Sequence, residues 1–283
     1  MYIIGEKLNS SIPKTLAAMN AGDEEELRRL VRVQAEAGAD CIDINTALLA
    51  PAEEERLVSL AQLVCSELDG LDLCDEEGEE RTVDLMLDSP DPAVLISALG
   101  KVKAFCGERK ILINSVNDSE KYDALLPAIA EAGAKAVMMP MDGERIPESA
   151  EQRLAAAEKT AAKLNAAGIP NENILIDVLV TSLATSEENG AVVLFDTLRA
   201  LKSSPALKGT KTTCGLSNIS FGLPRRAVIN SAFLSMAAVL GLDSAIVDPS
   251  SPALSDAIAA SAALLGEDEY CMKYISLARE RMK

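Results

Sequence analysis

Histidine is absent from the 283-residue chain, and so is tryptophan. Without histidine there is no Ser-His-Asp nucleophile system, no H-E-x-x-H zinc site and no imidazole base. Any chemistry here runs on carboxylates, amides, hydroxyls, lysine, arginine, tyrosine or thiols. Aromatic residues make up only 3% of the chain, so Ala, Val, Ile and Leu must build its core. Basic residues are scarce against acidic ones, 27 to 44, for a net charge of −17. Non-specific nucleic-acid binding needs the opposite balance. The six cysteines form no C-x-x-C pair and fit no zinc or iron–sulfur spacing. They read as thiols in a reducing cytoplasm, and no metal site is expected. The first residues lack the pattern of a signal peptide. The longest uncharged helical stretch, Ala227 to Leu242, falls short of the ~20 residues a membrane span needs. The expectation is a soluble cytoplasmic protein that uses neither membrane nor nucleic acid.

What is present is a regular alternation. Short apolar, β-branched runs occur at 2–5, 41–45, 83–89, 111–115, 136–140, 174–178, 212–218 and 244–248. Amphipathic segments follow them, at about 23–38, 52–69, 92–106, 119–132, 148–167, 188–202, 224–240 and from 252 onward. Asp23 is placed to cap the first of these, and Gly38 to stop it. Continuous apolar runs are the mark of parallel strands buried on both faces. Eight such units predict an α/β fold, a (β/α)8 TIM barrel occupying residues 1–283 as one domain; a doubly wound open sheet is the alternative. An acidic loop at 75–80 reads as solvated surface.

In such barrels the site lies at the C-terminal ends of the strands. The residues that close the runs are Glu6 with Asn9 nearby, Asp43 and Asn45, Asp88 and Ser89, Asn114 and Ser115, Met139, Pro140 and Asp142, Asp177, then Ser217 and Asn218, and finally Asp248. Any one of them could simply cap the next helix. Together they form a ring of carboxylates and amides at one mouth. Such a ring is poor for a transition metal. It suits a neutral heterocycle rich in N–H groups, such as a pterin.

The phrases GLSNIS (215–220), LDS (87–89), LINS (112–115), IDV (176–178), IIGEKLN (3–9) and INSAFLSMAAVLGLDSAIVD (229–248) resemble the methyltetrahydrofolate:corrinoid protein methyltransferases. The folate domain of cobalamin-dependent methionine synthase belongs to the same group, and dihydropteroate synthase shares its pterin-binding barrel. The resemblance spans essentially the whole chain. It implies methyl transfer between tetrahydrofolate and a corrinoid (cobalamin) on a separate protein, in either direction. One such direction is methylcorrinoid to tetrahydrofolate in an anaerobic demethylase system. It assigns the pterin edge to Asp88, Asn114 and Asp177, the pocket lining to Gly215 and Ser217, and the catalytic position near N5 to Asn218. Glu6, Asp43 and Asn45 support the pocket. Phe221, Arg225 and Arg226 are candidate contacts for the folate tail or the corrinoid protein. Relatives are homodimers, and the Ala-rich segment 252–265 is a candidate face. Two departures stand out. Phe221 replaces a polar residue of the family, and Ile-Asp-Val replaces Ile-Asp-Pro. The Lys and Arg signature of dihydropteroate synthase is missing, which counts against its condensation chemistry. A dihydropteroate synthase-like enzyme and a non-catalytic folate-binding protein are the remaining alternatives.

Overall fold

The computed structural model describes residues 1–74, 78, 80–143, 145–185 and 190–282. Most of the acidic loop, 75–77 and 79, lies outside the described residues, as does the expected helix start at 188–189.

The elements run β1 (Tyr2–Asn9), α1 (Pro13–Ala21), α2 (Glu24–Glu36), β2 (Cys41–Asn45), α3 (Glu53–Asp69), β3 (Asp84–Asp88), α4 (Pro92–Lys103), β4 (Ile111–Val116), α5 (Leu125–Ala132), β5 (Lys135–Met138), α6 (Ala150–Ala166), β6 (Ile174–Asp177), α7 (Gly190–Ser203), β7 (Lys211–Thr213), α8 (Arg226–Val239), β8 (Ser244–Val247), α9 (Pro252–Leu265) and α10 (Met272–Arg281). All eight strands lie in one sheet, in the order β7-β6-β5-β4-β3-β2-β1-β8. Every ladder is parallel. The two ends of that order meet. Gly215 bridges Ile246, and Ile246 N donates to Cys214 O at 2.8 Å. Lower down, Ser244 Oγ donates to Thr212 O at 2.9 Å. The expected barrel is therefore closed.

Two apolar layers hold it. The larger lies between strands and helices and takes the outward side chains, such as Ile42, Ile44, Leu85 and Leu87. The smaller fills the lumen with Ile4, Cys41, Met86, Leu112, Val137 and Leu175, flanked by Tyr2 and Ile246. Strand side chains alternate between the two with period two. Each fully buried Leu or Ile contributes roughly 1.5–3 kcal/mol, and that fixes the register. A slip of one residue would turn the apolar set into the wrong layer.

Local chemistry accounts for the helix ends. Asp23 caps α2 by accepting from Glu26 N, and Ser149 and Gln152 form a reciprocal capping box on α6. Two expectations shift, and one element is new. Helix α1, begun by Pro13 at its first turn, lies where the alternation assigns no element. The segment 119–132 divides into a 3-10 turn at Glu120–Tyr122 and the shorter α5. Pro127 is the third residue of α5, where its missing N–H costs no helix bond. The run 212–218 is strand only to Thr213; Leu216–Ser220 is a 3-10 turn. Ser217 and Asn218 thus sit on a turn above the barrel, not on β7.

Candidate active site

The lumen layer dictates where the polar residues go. Glu6, Asp43, Asp88, Asn114, Asp177 and Asp248 each lie two residues beyond a lumen-filling side chain: Ile4, Cys41, Met86, Leu112, Leu175 and Ile246. Period two keeps them on the inner face and carries them one layer up, to the C-terminal mouth. Register aligns them sideways. Asn45 pairs with Asp88 across β2–β3, Asp88 with Asn114 across β3–β4, and Asp177 with Thr213 across β6–β7.

The hydrogen bonds are sparse and specific. Asn45 Nδ2 donates to Asp88 Oδ2 at 2.8 Å, while Ser10 Oγ donates to Asn45 Oδ1 at 3.0 Å. That orients the Asn45 amide. Ser217 Oγ donates to Glu6 Oε1 at 3.0 Å, tying the turn after β7 to β1. Lys7 and Asp248 pair at 2.6 Å beside them. Asp177 Oδ1 accepts from Leu179 N at 2.8 Å. Asp43 is fully enclosed, and its Oδ1 has no partner. Thr213 Oγ1 is likewise buried and unpartnered. Among the described residues, the carboxamides of Asn114 and Asn218 make no hydrogen bond. Buried polar groups rarely stay unpaired in a finished core. The enclosed Asp43 and Thr213 oxygens, at the same end of the barrel as the half-buried Asn114 and exposed Asn218 carboxamides, suit a polar ligand; Arg109 Nε and Asn230 Oδ1 are buried and unpartnered elsewhere.

Burial sets the charge states. It pushes the Asp177 carboxyl up to about 6, opposed by the Leu179 N–H and the Arg153 cation. Asp88 also rises to about 6 by burial, opposed by the Asn45 hydrogen bond. Burial lifts Asp43 well above the carboxylate range, and the neighbouring Asp88 and Glu6 charges add to it. Glu6 is raised by burial too, with the Ser217 hydroxyl pulling the other way. At neutral pH the mouth therefore offers ionised acceptors at Asp88 and Asp177, while burial and the two neighbouring carboxylates favour the protonated form of Asp43.

Gly215 and Asn218 belong together. A Cβ on Gly215 would lie 3.2 Å from Asn218 Nδ2, so the glycine leaves that amide room over the lumen. Asn218 is exposed at the mouth. Phe221 stands 66% exposed on the rim. Arg225 precedes α8 in the left-handed region, φ 52°. Arg226 bends back on its own turn, with Nη2 on Ser217 O at 2.7 Å and Nε on Ser220 Oγ at 3.0 Å.

Arg153 is the residue that sequence reasoning missed. It lies on α6, remote in sequence from any strand end, and is buried. Its guanidinium donates to Pro147 O at 3.0 Å, Val178 O at 2.8 Å and Leu179 O at 3.1 Å. It thereby clamps the backbone that follows Asp177. The only sequence signal is an arginine that opens the buried stripe of α6, ahead of Ala157, Thr160, Ala161 and Leu164. Ser10 was missed as well, since a lone serine after a strand carries no pattern.

Among the described residues no cluster of His, Cys, Asp or Glu has the geometry to hold a metal ion. No described helix is long and apolar enough to cross a membrane.

Known proteins resemble this chain in sequence and in fold. Residues 5–248 match the family described as pterin binding enzyme. The chain is 34% identical over 284 aligned positions to the methylcorrinoid:tetrahydrofolate methyltransferase of Eubacterium limosum, covering 99% of this chain and 97% of that one. It is 29% identical to the methionine synthase of Mycobacterium tuberculosis over 88% of this chain, which spans only 20% of that larger protein. The dihydropteroate synthase of Xanthomonas albilineans superposes with a TM-score of 0.66 at 19% identity, covering 93% of each chain. That of Thermus thermophilus gives 0.61 at 21%, covering 85% and 89%. At those identities the structures share the fold alone. With a barrel whose mouth carries the acid and amide ring, and a sequence match spanning that ring from Gly5 to Asp248, this chain belongs to the pterin binding enzyme family.

Proposed function

We propose that this protein is a methyltransferase that moves a methyl group between N5 of tetrahydrofolate and the cobalt of a corrinoid carried by a separate protein. The observation that carries this reading is the ring of carboxylates and amides above the lumen layer, with the enclosed Asp43 Oδ1 and Thr213 Oγ1 unpartnered among them. The full-length similarity to a methylcorrinoid:tetrahydrofolate methyltransferase supports it and favours transfer towards tetrahydrofolate.

A reduced pterin presents a 2-amino group and ring N–H groups along one edge. Ionised Asp88 and Asp177 accept them, and Asn114 both accepts and donates. Asp43, enclosed and unpartnered on Oδ1, supports Asp88 from below. Glu6 and Asn45 hold Ser217 and Asp88 in place. Asn218 lies where it can hydrogen-bond near N5. An amine nitrogen leaves a methyl group only as it gains a proton or a strong hydrogen bond, so Asn218 acts by stabilising that state. The corrinoid supplies a cobalt nucleophile or, in the other direction, the methyl itself. Everything this chain contributes is positioning and electrostatics. Leu48, Ile146 and Phe221, exposed on loops at the mouth, offer an apolar rim for a transient corrinoid-protein contact. Met236, Val239 and Leu264 are exposed on α8 and α9 and support a homodimer through those helices. One domain covering 1–283 completes the reading.

Methyltetrahydrofolate and free cob(I)alamin, mixed anaerobically with the protein, test it. Methylcobalamin should form, and its formation should collapse in Asn218→Ala. Folate binding without transfer to any cob(I)alamin species would favour a binding role. No folate binding would end the proposal.

A further inference from the structure

The opposite end of the barrel holds a cavity of about 570 Å³. Its floor is Leu112 and Leu175, members of the lumen layer. The Tyr2 ring and Leu242 form its walls. Lys135, Lys202 and Lys211 converge on it. Lys135 and Lys211 are the first residues of β5 and β7, and Lys202 is in the last turn of α7.

The local charge is unlike that of the molecule. The chain carries −17 overall, yet three ammonium groups line this cavity against two carboxylates, Asp243 and Glu267. Asp243 pairs with Lys202 and, at 3.4 Å, with Lys211. It also accepts from Thr212 N and Oγ1 at 2.7 and 2.9 Å. Asp84, on the same barrel floor, is engaged too: Tyr2 Oη donates to it at 2.7 Å and Lys110 N at 2.9 Å. Among the described residues Lys135 has no carboxylate partner; its Nζ lies 5.9 Å from the Tyr2 ring centroid. Burial and the neighbouring Lys110 and Lys211 hold its pKa below the usual lysine value. Helix C-termini attract lysines, and that accounts for Lys202. It does not account for Lys135, which opens β5 and lines the cavity without a carboxylate partner among the described residues.

We propose that this cavity binds a small organic anion, a phosphate monoester or carboxylate with an apolar body. The anionic group sits among Lys135, Lys202 and Lys211, and the body rests on Leu112, Leu175 and the Tyr2 ring. A barrel floor normally serves stability alone, so this is a second site, a full strand length from the pterin mouth. A localised cationic pocket in an otherwise anionic surface also concentrates anions at one place.

Calorimetric titration with phenyl phosphate and, separately, inorganic phosphate tests it. Phenyl phosphate should bind saturably at one site and more tightly than inorganic phosphate. Lys135→Gln and Lys211→Gln should each weaken it about tenfold or more, since each removes a charge-assisted contact. Both variants should keep wild-type tetrahydrofolate affinity, which also reports that they fold. No saturable phenyl phosphate binding by the wild type would overturn the proposal. So would binding unchanged in both folded variants. Equal affinity for the two probes would overturn the organic-anion assignment.

Discussion

Asn45 donates its amide hydrogen to Asp88 across the β2–β3 ladder, Nδ2 to Oδ2 at 2.8 Å. Ser10 fixes that amide from the other side. The bond favours the ionised carboxylate that would accept the pterin edge. Asn45→Ala should therefore raise the Asp88 pKa above about 6. It should also weaken reduced-pterin binding at pH 7 by about 1–2 kcal/mol. Carboxyl 13C NMR and calorimetry read the two effects; an unmoved Asp88 resonance would remove the coupling.

Asp177 predicts opposite pH trends for stability and binding. Its folded pKa is raised from 3.8 to about 6, so the folded state holds the proton more tightly than the unfolded chain. Ionisation of this group then costs stability on the order of 3 kcal/mol above pH 6, and that cost vanishes below pH 4. Through this group the apo protein gains stability on acidification across that window. Pterin affinity should fall over the same window, because protonation removes the acceptor. Asp177→Asn keeps an acceptor for Leu179 N. It should flatten the stability trend in urea denaturation and abolish most of the affinity.

Arg153→Ala should be severe. It leaves three carbonyl oxygens, those of Pro147, Val178 and Leu179, without their donor in a buried place. A loss of about 3–5 kcal/mol is expected. Arg153→Lys should recover only part, since one ammonium cannot reach three carbonyls in a fork geometry. Urea midpoints measure this; a loss below about 1 kcal/mol would show that water replaces the clamp.

Asn218→Ala should lower kcat far more than it raises the folate dissociation constant, by a factor of about 10² against a few-fold. Equal losses would assign Asn218 to ground-state binding. Arg226→Ala should give a milder version, because Arg226 holds the turn that carries Asn218.

Gly5→Ala tests the packing of α2 on β1. The added Cβ would come within 2.5 Å of Gln34 Oε1, the atom that accepts from Lys7 N at 2.8 Å. A loss of about 1–3 kcal/mol is expected. Gly5→Ala with Gln34→Ala should cost less than the sum of the single changes, and additivity would separate the two residues.

Much of this molecule is determined by sequence alone. Eight apolar runs with helical segments between them compel a parallel sheet covered on both faces. The polar residues that end those runs, from Glu6 to Asp177, fall on the lumen face because strand side chains alternate with period two. GLSNIS identifies the family because its glycine and asparagine are a local unit. Gly215 gives Asn218 its space within one turn. Tertiary structure decided what depends on distance along the chain. Barrel closure rests on Gly215 meeting Ile246, which no local pattern encodes. The clamp by Arg153 reaches over 25 residues to Val178. The turn carrying Ser217 is fixed by Glu6, 211 residues away. The unpaired Asp43 oxygen and the lysine-lined floor are also invisible in one dimension. Burial and the absence of partners are properties of neighbours in space, and only the closed barrel supplies those neighbours.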